Sequence, residues 1–373
     1  MKGWEFTGTH IPLKIVEKPD PQVKPGYVVL KTKAGGLCHS DVSALEHESW
    51  MPSFNVPVIM GHEVCGEIVA KGEGVEGFEI GDVVAVCPLH AKDGTTPGYT
   101  RDGGYGTMTT APVEQLVKVP EGVTYAQAAA ATDAGATAYH AVVTVGEVKT
   151  GMKVGIIGVG GLGQIGVRVA VVKGCEVYVA TRKPEAQELA KELGAKEVKS
   201  SILDFADKNL DVIIDFAGSG KTTEDAISVV APHGRVVLVG MACDFANVNT
   251  MSIIMKEVTL VGSQGSFPSE LGDVMAMMAT GELAPILNTI SFEQIGEGID
   301  LIVAAVQVDF DALLPLVTKL ALVVVGAAAF QWLQGYCVNR LSYETVRDMR
   351  VEASDKLSRM PLSFIDSHAH GDL

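Results

Sequence analysis

The stretch "GIIGVGGLGQIG" constrains this chain more than any other. It sets Gly158, Gly160 and Gly163 in the spacing G-x-G-x-x-G, directly after an apolar run at 154–157 and at the start of helix-prone residues. Alone the spacing is weak, but between a strand and a helix it is strong. The first glycine permits a tight turn, the second lets backbone approach a pyrophosphate, and the third lets helix and strand pack closely. With Gly161 and Leu162 beside them, free N–H groups and the positive end of the helix dipole face the phosphates.

The surroundings agree. "MKVGIIG", "CEVYVA", "LDVIIDF", "GRVVLVG" and "VTLVG" are continuous apolar runs of the buried parallel type, separated by helical stretches such as "PEAQELAKELGA". This alternation predicts an α/β doubly wound parallel sheet. Residues 1 to about 120 differ: short strands with frequent Gly and Pro predict a β-rich, barrel-like domain. In "SELGDVMAMMATGEL", Leu271, Val274, Met275 and Met278 share one helical face and are expected in the core. A chain of 373 residues is too long for one ordinary domain, and 41 glycines with 47% hydrophobic residues suit a packed enzyme. A net charge of −16 excludes a nucleic-acid partner, which would need clustered Lys and Arg. The six cysteines are scattered and no apolar leader opens the chain, so a cytoplasmic, reducing location is expected.

The second strand of the parallel sheet ends in "VATRK". A carboxylate there would bind a ribose 2′-hydroxyl and repel a 2′-phosphate. Thr181, with Arg182 and Lys183 beside it, therefore favours NADP over NAD; the plainer alternative is that both cations merely open the next helix.

"GGLCHSDVSALE" and "MGHE" put Cys38 and His62 in two separate segments, each preceded by glycine. A catalytic zinc takes three protein ligands from separated segments and keeps one open position. Asp133, a carboxylate isolated in "AAAATDAGATAYHA", could be the third, since a metal removes the cost of burying it. It could equally cap the helix that follows.

With "GLCHSD", "GHEVCGEIVAKGEGVEGFEIGDVV", Asp133 and "GVGGLG" in this order, residues 1 to about 302 resemble the zinc-dependent alcohol dehydrogenases of the medium-chain dehydrogenase/reductase superfamily. The resemblance implies a GroES-like catalytic domain over 1–145, a Rossmann domain over 146–275 and a truncated return to the catalytic domain over 276–306. It implies Cys38, His62 and Asp133 as zinc ligands and Glu63 as a nearby carboxylate. Asp41 would fix the His62 tautomer, and Ser40 would bind the substrate hydroxyl and begin a proton relay. His39 would touch the pyrophosphate and Thr137 would lie near the nicotinamide. The partners implied are a small-molecule alcohol or carbonyl compound and further copies of the chain, in a dimer or tetramer. Three features depart from the family pattern. Ser43 stands where a relay histidine is usual, so the relay runs through Ser43, His47 or water. The segment "VCPLHAKDGTTPGYTRDGGYGTM" has only Cys87, so one catalytic zinc and no structural zinc is expected. Asp133 stands where cysteine is the usual third ligand. Cys65, Cys175 and Cys243 read as small core residues, and His10, His90, His140 and His233 have no evident partner.

From 307 the pattern breaks off. Residues 307–373 resemble part of an ABC exporter membrane domain, and Leu320–Asn339 is a charge-free run of the ~20 residues that a span requires. Membrane association through 312–339 is one expectation, a buried or interface helix the other. Basic residues follow this run and acidic ones precede it, an orientation that would put a dehydrogenase on the wrong side of a membrane for its cofactor. Two further readings compete with a zinc enzyme: a zinc-free quinone or enoyl reductase of the same superfamily, and an inactive dehydrogenase fused to a transporter fragment.

Overall fold

The computed structural model describes residues 1–306 and 310–359, with side chains outside 303–318, 320–322 and 325. Two units emerge, Met1–Ala305 and Val306–Leu373.

The first unit opens with short strands: β1 (Lys2–Phe6), β2 (Lys14–Glu17), β3 (Tyr27–Gly36), β4 (Val58–Ile59), β5 (Glu63–Lys71), β6 (Val83–Val86), β7 (Met108–Pro112) and β8 (Leu116–Lys118). They form antiparallel sheets in the orders β7-β3-β5-β6-β8 and β2-β1-β4. Alternation sets the core: Val28, Leu30, Val64, Ile68, Val84 and Val86 turn inward together. Register shifts in β3 at Val29/Leu30 and Thr32/Ala34 bend it beside β5. Chain ends of both strands thereby meet: β3 runs to Gly36 and leads into α1 (His39–Glu46), and β5 begins at Glu63.

A connecting helical segment follows, α2 (Tyr125–Ala130), a π turn at Ala131–Gly135, α3 (Ala136–Tyr139) and a second π turn at His140–Val145. Its small residues Ala128, Ala129, Ala131, Ala136, Ala138 and Ala141 are buried, which allows close packing between the two sheets' domains.

The parallel sheet then forms as the alternation predicts. Its elements are β9 (Lys153–Ile157), α4 (Gly161–Val172), β10 (Glu176–Ala180), α5 (Pro184–Glu192), β11 (Glu197–Lys199), β12 (Val212–Asp215), α6 (Lys221–Val229), β13 (Arg235–Leu238), α7 (Thr250–Lys256) and β14 (Thr259–Gly262). All pairs are parallel, in the order β11-β10-β9-β12-β13-β14. The order reverses between β9 and β12, and in such sheets ligands bind beyond the strand ends at the reversal. Asp215 sits there at the end of β12, fully buried, and accepts the Ala217 and Gly218 N–H groups and the Thr222 and Thr223 hydroxyls. A buried carboxylate with four donors fixes this loop beside the glycine turn.

In α8 (Pro268–Ala279), Leu271, Val274, Met275 and Met278 are buried, as their spacing predicts. The chain then returns to the first sheets. Ile295 and Ile299 of α9 (Ile295–Val306) pack with Phe6, Val42 and Ile59, and the Trp4 indole N–H donates to the Phe292 carbonyl at 2.8 Å.

Several sequence expectations need correction. Cys65 is buried, but Cys175 is only half-buried and Cys243 is exposed. Strand-like composition does not say which strand ends face solvent. Three of the four histidines without evident partners have them: His140 pairs with Glu270 at 2.8 Å, His233 with Glu257 at 2.9 Å, and His90 stacks on Phe267. These partners lie far along the chain, apart from Glu257, so local sequence could not reveal them.

Among the described residues, the second unit holds the helix α10 (Phe310–Arg359). Pairs one turn apart support it, Arg340 with Glu344 and Lys356 with Glu352. In the run Leu320–Asn339 the side chains of 320–322 and 325 lie outside the described ones. Among the described residues, no helix is long and apolar enough to cross a membrane, so the expected span is not found. The end of the chain, including "MPLSFIDSHAHGDL", also lies outside them.

Candidate functional site

Cys38 is the residue before α1, His62 and Glu63 stand at the start of β5, and Asp133 lies in the first π turn. Three segments distant in sequence so bring one thiol, one imidazole and two carboxylates together, with ligand atoms all within 4.8 Å of one another. Cys38 Sγ lies 3.5 Å and His62 Nε2 3.2 Å from the same oxygen, Asp133 Oδ2. The Thr137 hydroxyl donates to the other oxygen, Oδ1, at 2.7 Å. Asp133 therefore does not cap a helix. It sits inside a continuous helical segment, in the kind of π turn that often marks a functional site, and its carboxylate points at the histidine and the thiol.

Room for the cluster is made by a missing side chain. A Cβ at Gly36 would stand 1.7 Å from Glu63 Oε2. Electrostatics tie the four donors together. Burial and the neighbouring Asp133 carboxylate push Glu63 up to about 8. Burial likewise raises Cys38, against the pull of His62. Burial pulls the His62 imidazole down, but Asp41 and Asp133 hold it well above its usual value. Burial favours the neutral form of Asp133, yet its bonds from His62 and Thr137 hold it low. A divalent cation among these groups would favour every one of their ligating forms. The mixed S, N and O donor set suits zinc, which accepts all three atom types.

Around the cluster, the structure places the remaining predicted residues. Asp41 is fully buried with Oδ1 3.5 Å from His62 Nδ1. Ser40 is half-buried in the first turn of α1, and His39 is exposed at its start. The Ser43 hydroxyl donates back to the His39 carbonyl at 3.2 Å, so helix backbone occupies it. The Cys87 thiol donates to the Ser266 carbonyl. Arg101 clamps the loop around it, donating to Thr95, Thr110 and Gln115. That same loop carries two aromatic residues that sequence reading passed over. Tyr99 lies edge-on to His62 at 5.5 Å between ring centroids, and Tyr105 donates to Asp41. Their one sequence signal is their place in the segment that follows Cys87.

The glycine turn takes the form its spacing demands. Gly158 has φ +85°, and a Cβ on Gly163 would stand 2.0 Å from the Gly158 carbonyl oxygen. Nothing lies within 4 Å of a Cβ on Gly160 or Gly161, so this side is open for a ligand. Leu162 is in the first turn of α4. Thr181 follows β10 and is buried, while Arg182 and Lys183 are exposed and Lys183 caps α5.

A catalytic-type β domain, a parallel dinucleotide-type sheet and a buried Cys-His-Glu-Asp cluster define a class of oxidoreductase. The alcohol dehydrogenase GroES-like family model matches residues 24–121, and the zinc-binding dehydrogenase model matches 161–280. The chain is 33% identical over 285 residues to an L-threonine 3-dehydrogenase of Pyrococcus horikoshii, covering 68% of this chain and 79% of that one. It is 29% identical over 312 residues to an alcohol dehydrogenase of Geobacillus stearothermophilus, covering 78% and 92%. Among solved structures, acetophenone reductase from Geotrichum candidum in complex with NAD superposes with a TM-score of 0.75 at 29% identity, covering 82% of this chain and 94% of that one. The protein belongs to the zinc-binding medium-chain dehydrogenase family. The exporter resemblance of 307–373 is not shown by any of these matches.

Proposed function

We propose that this protein interconverts an alcohol and an aldehyde or ketone by hydride transfer with a nicotinamide cofactor, at one zinc ion held by Cys38, His62 and Asp133. The observation that carries the reading is the convergence of those three side chains, from three segments, with ligand atoms within 4.8 Å. Zinc, when bound, supplies the Lewis acidity that lowers an alcohol's pKa. The chain's own residues do the rest. Asp41 faces His62 Nδ1 and leaves Nε2 to the site. Thr137 holds one Asp133 oxygen so that the other turns toward Cys38 and His62. Ser40 takes the proton leaving the substrate hydroxyl. With Ser43 tied to backbone, the proton passes on through water or His47. The glycine turn at 158–163 seats the pyrophosphate, with His39 as a further contact, and Asp215 holds the adjoining loop. Elemental analysis together with alcohol-dependent formation of reduced nicotinamide tests the reading. One zinc per chain with turnover supports it. A metal-free protein that reduces an activated alkene would replace it with the zinc-free reductase.

NADP is the cofactor we propose, although the similar acetophenone reductase carries NAD. No carboxylate stands at the end of β10, where Thr181 is followed by Arg182 and Lys183. Thr181→Asp is expected to lower kcat/KM for NADP by ~10²-fold relative to NAD, through like-charge repulsion of the 2′-phosphate. A native enzyme already faster with NAD would overturn the assignment.

A second copy of the chain is the macromolecular partner we propose. β14 is an edge strand of its sheet, and Met241, Phe245, Met251, Ile254 and Met255 of the adjoining segment and α7 are each at least 65% exposed. Apolar exposure on this scale beside an unpaired strand edge marks an association surface. Light scattering should give at least a dimer, and Ile254→Lys with Met255→Lys should give monomers.

A further inference from the structure

One buried carboxylate sets the positions of two proposed zinc ligands. Asp41 Oδ2 accepts the Cys38 backbone N–H at 3.1 Å and the Tyr105 hydroxyl at 2.5 Å. Asp41 Oδ1 has no hydrogen-bond partner, and neither has His62 Nδ1, 3.5 Å away. The two oxygens are thus divided: one is saturated by Cys38 and Tyr105, and the other is left for the imidazole.

Tyr105 is built into the segment that delivers His62. Its N–H donates to the Met60 carbonyl at 2.9 Å, and those of Gly103 and Gly104 donate to Ile59 and Gly61 at 2.8 and 2.7 Å. Its ring is fully buried against Gly61, which has φ +91°. A Cβ at Gly61 would stand 2.4 Å from that ring. The glycine beside the histidine is therefore what admits the tyrosine. Packing alone would be satisfied by phenylalanine. The hydroxyl adds a donor that pins the carboxylate's rotation.

We propose that Tyr105 is a positioning residue of the metal site, its hydroxyl holding Asp41 so that Oδ1 meets His62 Nδ1 and Nε2 is presented beside Cys38 and Asp133. The inference rests on the zinc reading above. Without the hydroxyl, Asp41 keeps only the Cys38 N–H on Oδ2 and can turn away from the imidazole. His62 then loses the partner that fixes its tautomer and ring orientation.

The test is zinc retention. Zinc content and the rate of zinc transfer to a metallochromic chelator are measured for the native chain, Tyr105→Phe, Asp41→Asn and the double variant, with melting temperature and NADPH binding alongside. Tyr105→Phe should release zinc ~10–100-fold faster, the range for a lost partner of a ligating histidine. NADPH affinity should not change. The double variant should release zinc no faster than Asp41→Asn, because both act through one carboxylate. Native release rates in Tyr105→Phe, or effects that multiply in the double variant, would assign Tyr105 a packing role only. Should Tyr105→Phe fail to fold, Tyr105→Met removes the hydroxyl with a side chain that adapts to irregular space, and carries the same expectation. A native chain that holds no zinc would overturn the metal reading itself, and with it this proposal; zinc in the native chain with unaltered release in the variants overturns this proposal alone.

Discussion

Replacing Cys38 with alanine should abolish turnover and strip the zinc, while leaving NADPH binding close to native. The thiol is the one soft donor in a cluster whose other atoms are one nitrogen and carboxylate oxygens. Lewis-acid stabilisation of developing alkoxide charge is worth several kcal/mol, so its loss should reduce kcat/KM by ~10³-fold or more. Cofactor affinity should survive because the glycine turn belongs to the parallel sheet, whereas Cys38 follows β3 of the antiparallel one. Elemental analysis, alcohol-dependent turnover and a fluorescence titration with NADPH measure the three quantities. A Cys38→Ala protein that keeps both zinc and activity would remove Cys38 from the ligand set. The native protein treated with a strong chelator should lose activity in parallel with zinc, and recover it when zinc is returned.

The second large effect is expected at the glycine turn, where two substitutions separate folding from binding. Gly163→Val places its Cβ 2.0 Å from the Gly158 carbonyl oxygen, which is backbone and cannot swing aside. β9 and α4 must then move apart. A loss of about 3 kcal/mol in stability is expected, with cofactor affinity down by ~10²-fold or more as the helix N-terminus leaves the phosphates. Gly160→Ala meets nothing within 4 Å. It should leave the melting temperature nearly unchanged and still weaken cofactor binding, because the new methyl group stands on the side open to the pyrophosphate. Equal losses of stability in both variants would mean that the turn's glycines serve folding alone.

Much of the fold was legible because its rules are local. The apolar runs at 153–157, 176–180, 212–215, 235–238 and 259–262 are five of the six strands of the parallel sheet, since buried parallel strands need no alternation and crossover helices must separate them; the short edge strand β11, Glu197–Lys199, carries no such run. Gly158 and Gly163 could be assigned their parts because backbone dihedral and steric contact belong to the residue itself. Likewise Cys38 and His62 stood out by type, being ligand-capable residues beside glycines.

What the sequence could not decide is which distant groups meet. Asp133 read equally well as a helix cap, and only the packing of its π turn against the start of β5 turns its carboxylate to His62 at 3.2 Å. Tyr99 and Tyr105 have no local pattern that marks them, and their relation to His62 and Asp41 exists only once the loop pairs with residues 59–61. Nothing in the local sequence marks Asp215, whose part in the fold comes from the four donors that close around it. By itself the sequence determined the strands, the turn and the ligand types, because period, stereochemistry and side-chain chemistry act over a few residues. Tertiary structure alone decided which of these side chains meet and what supports them, because that depends on strand register and on voids that the absent side chains of Gly36 and Gly61 leave open.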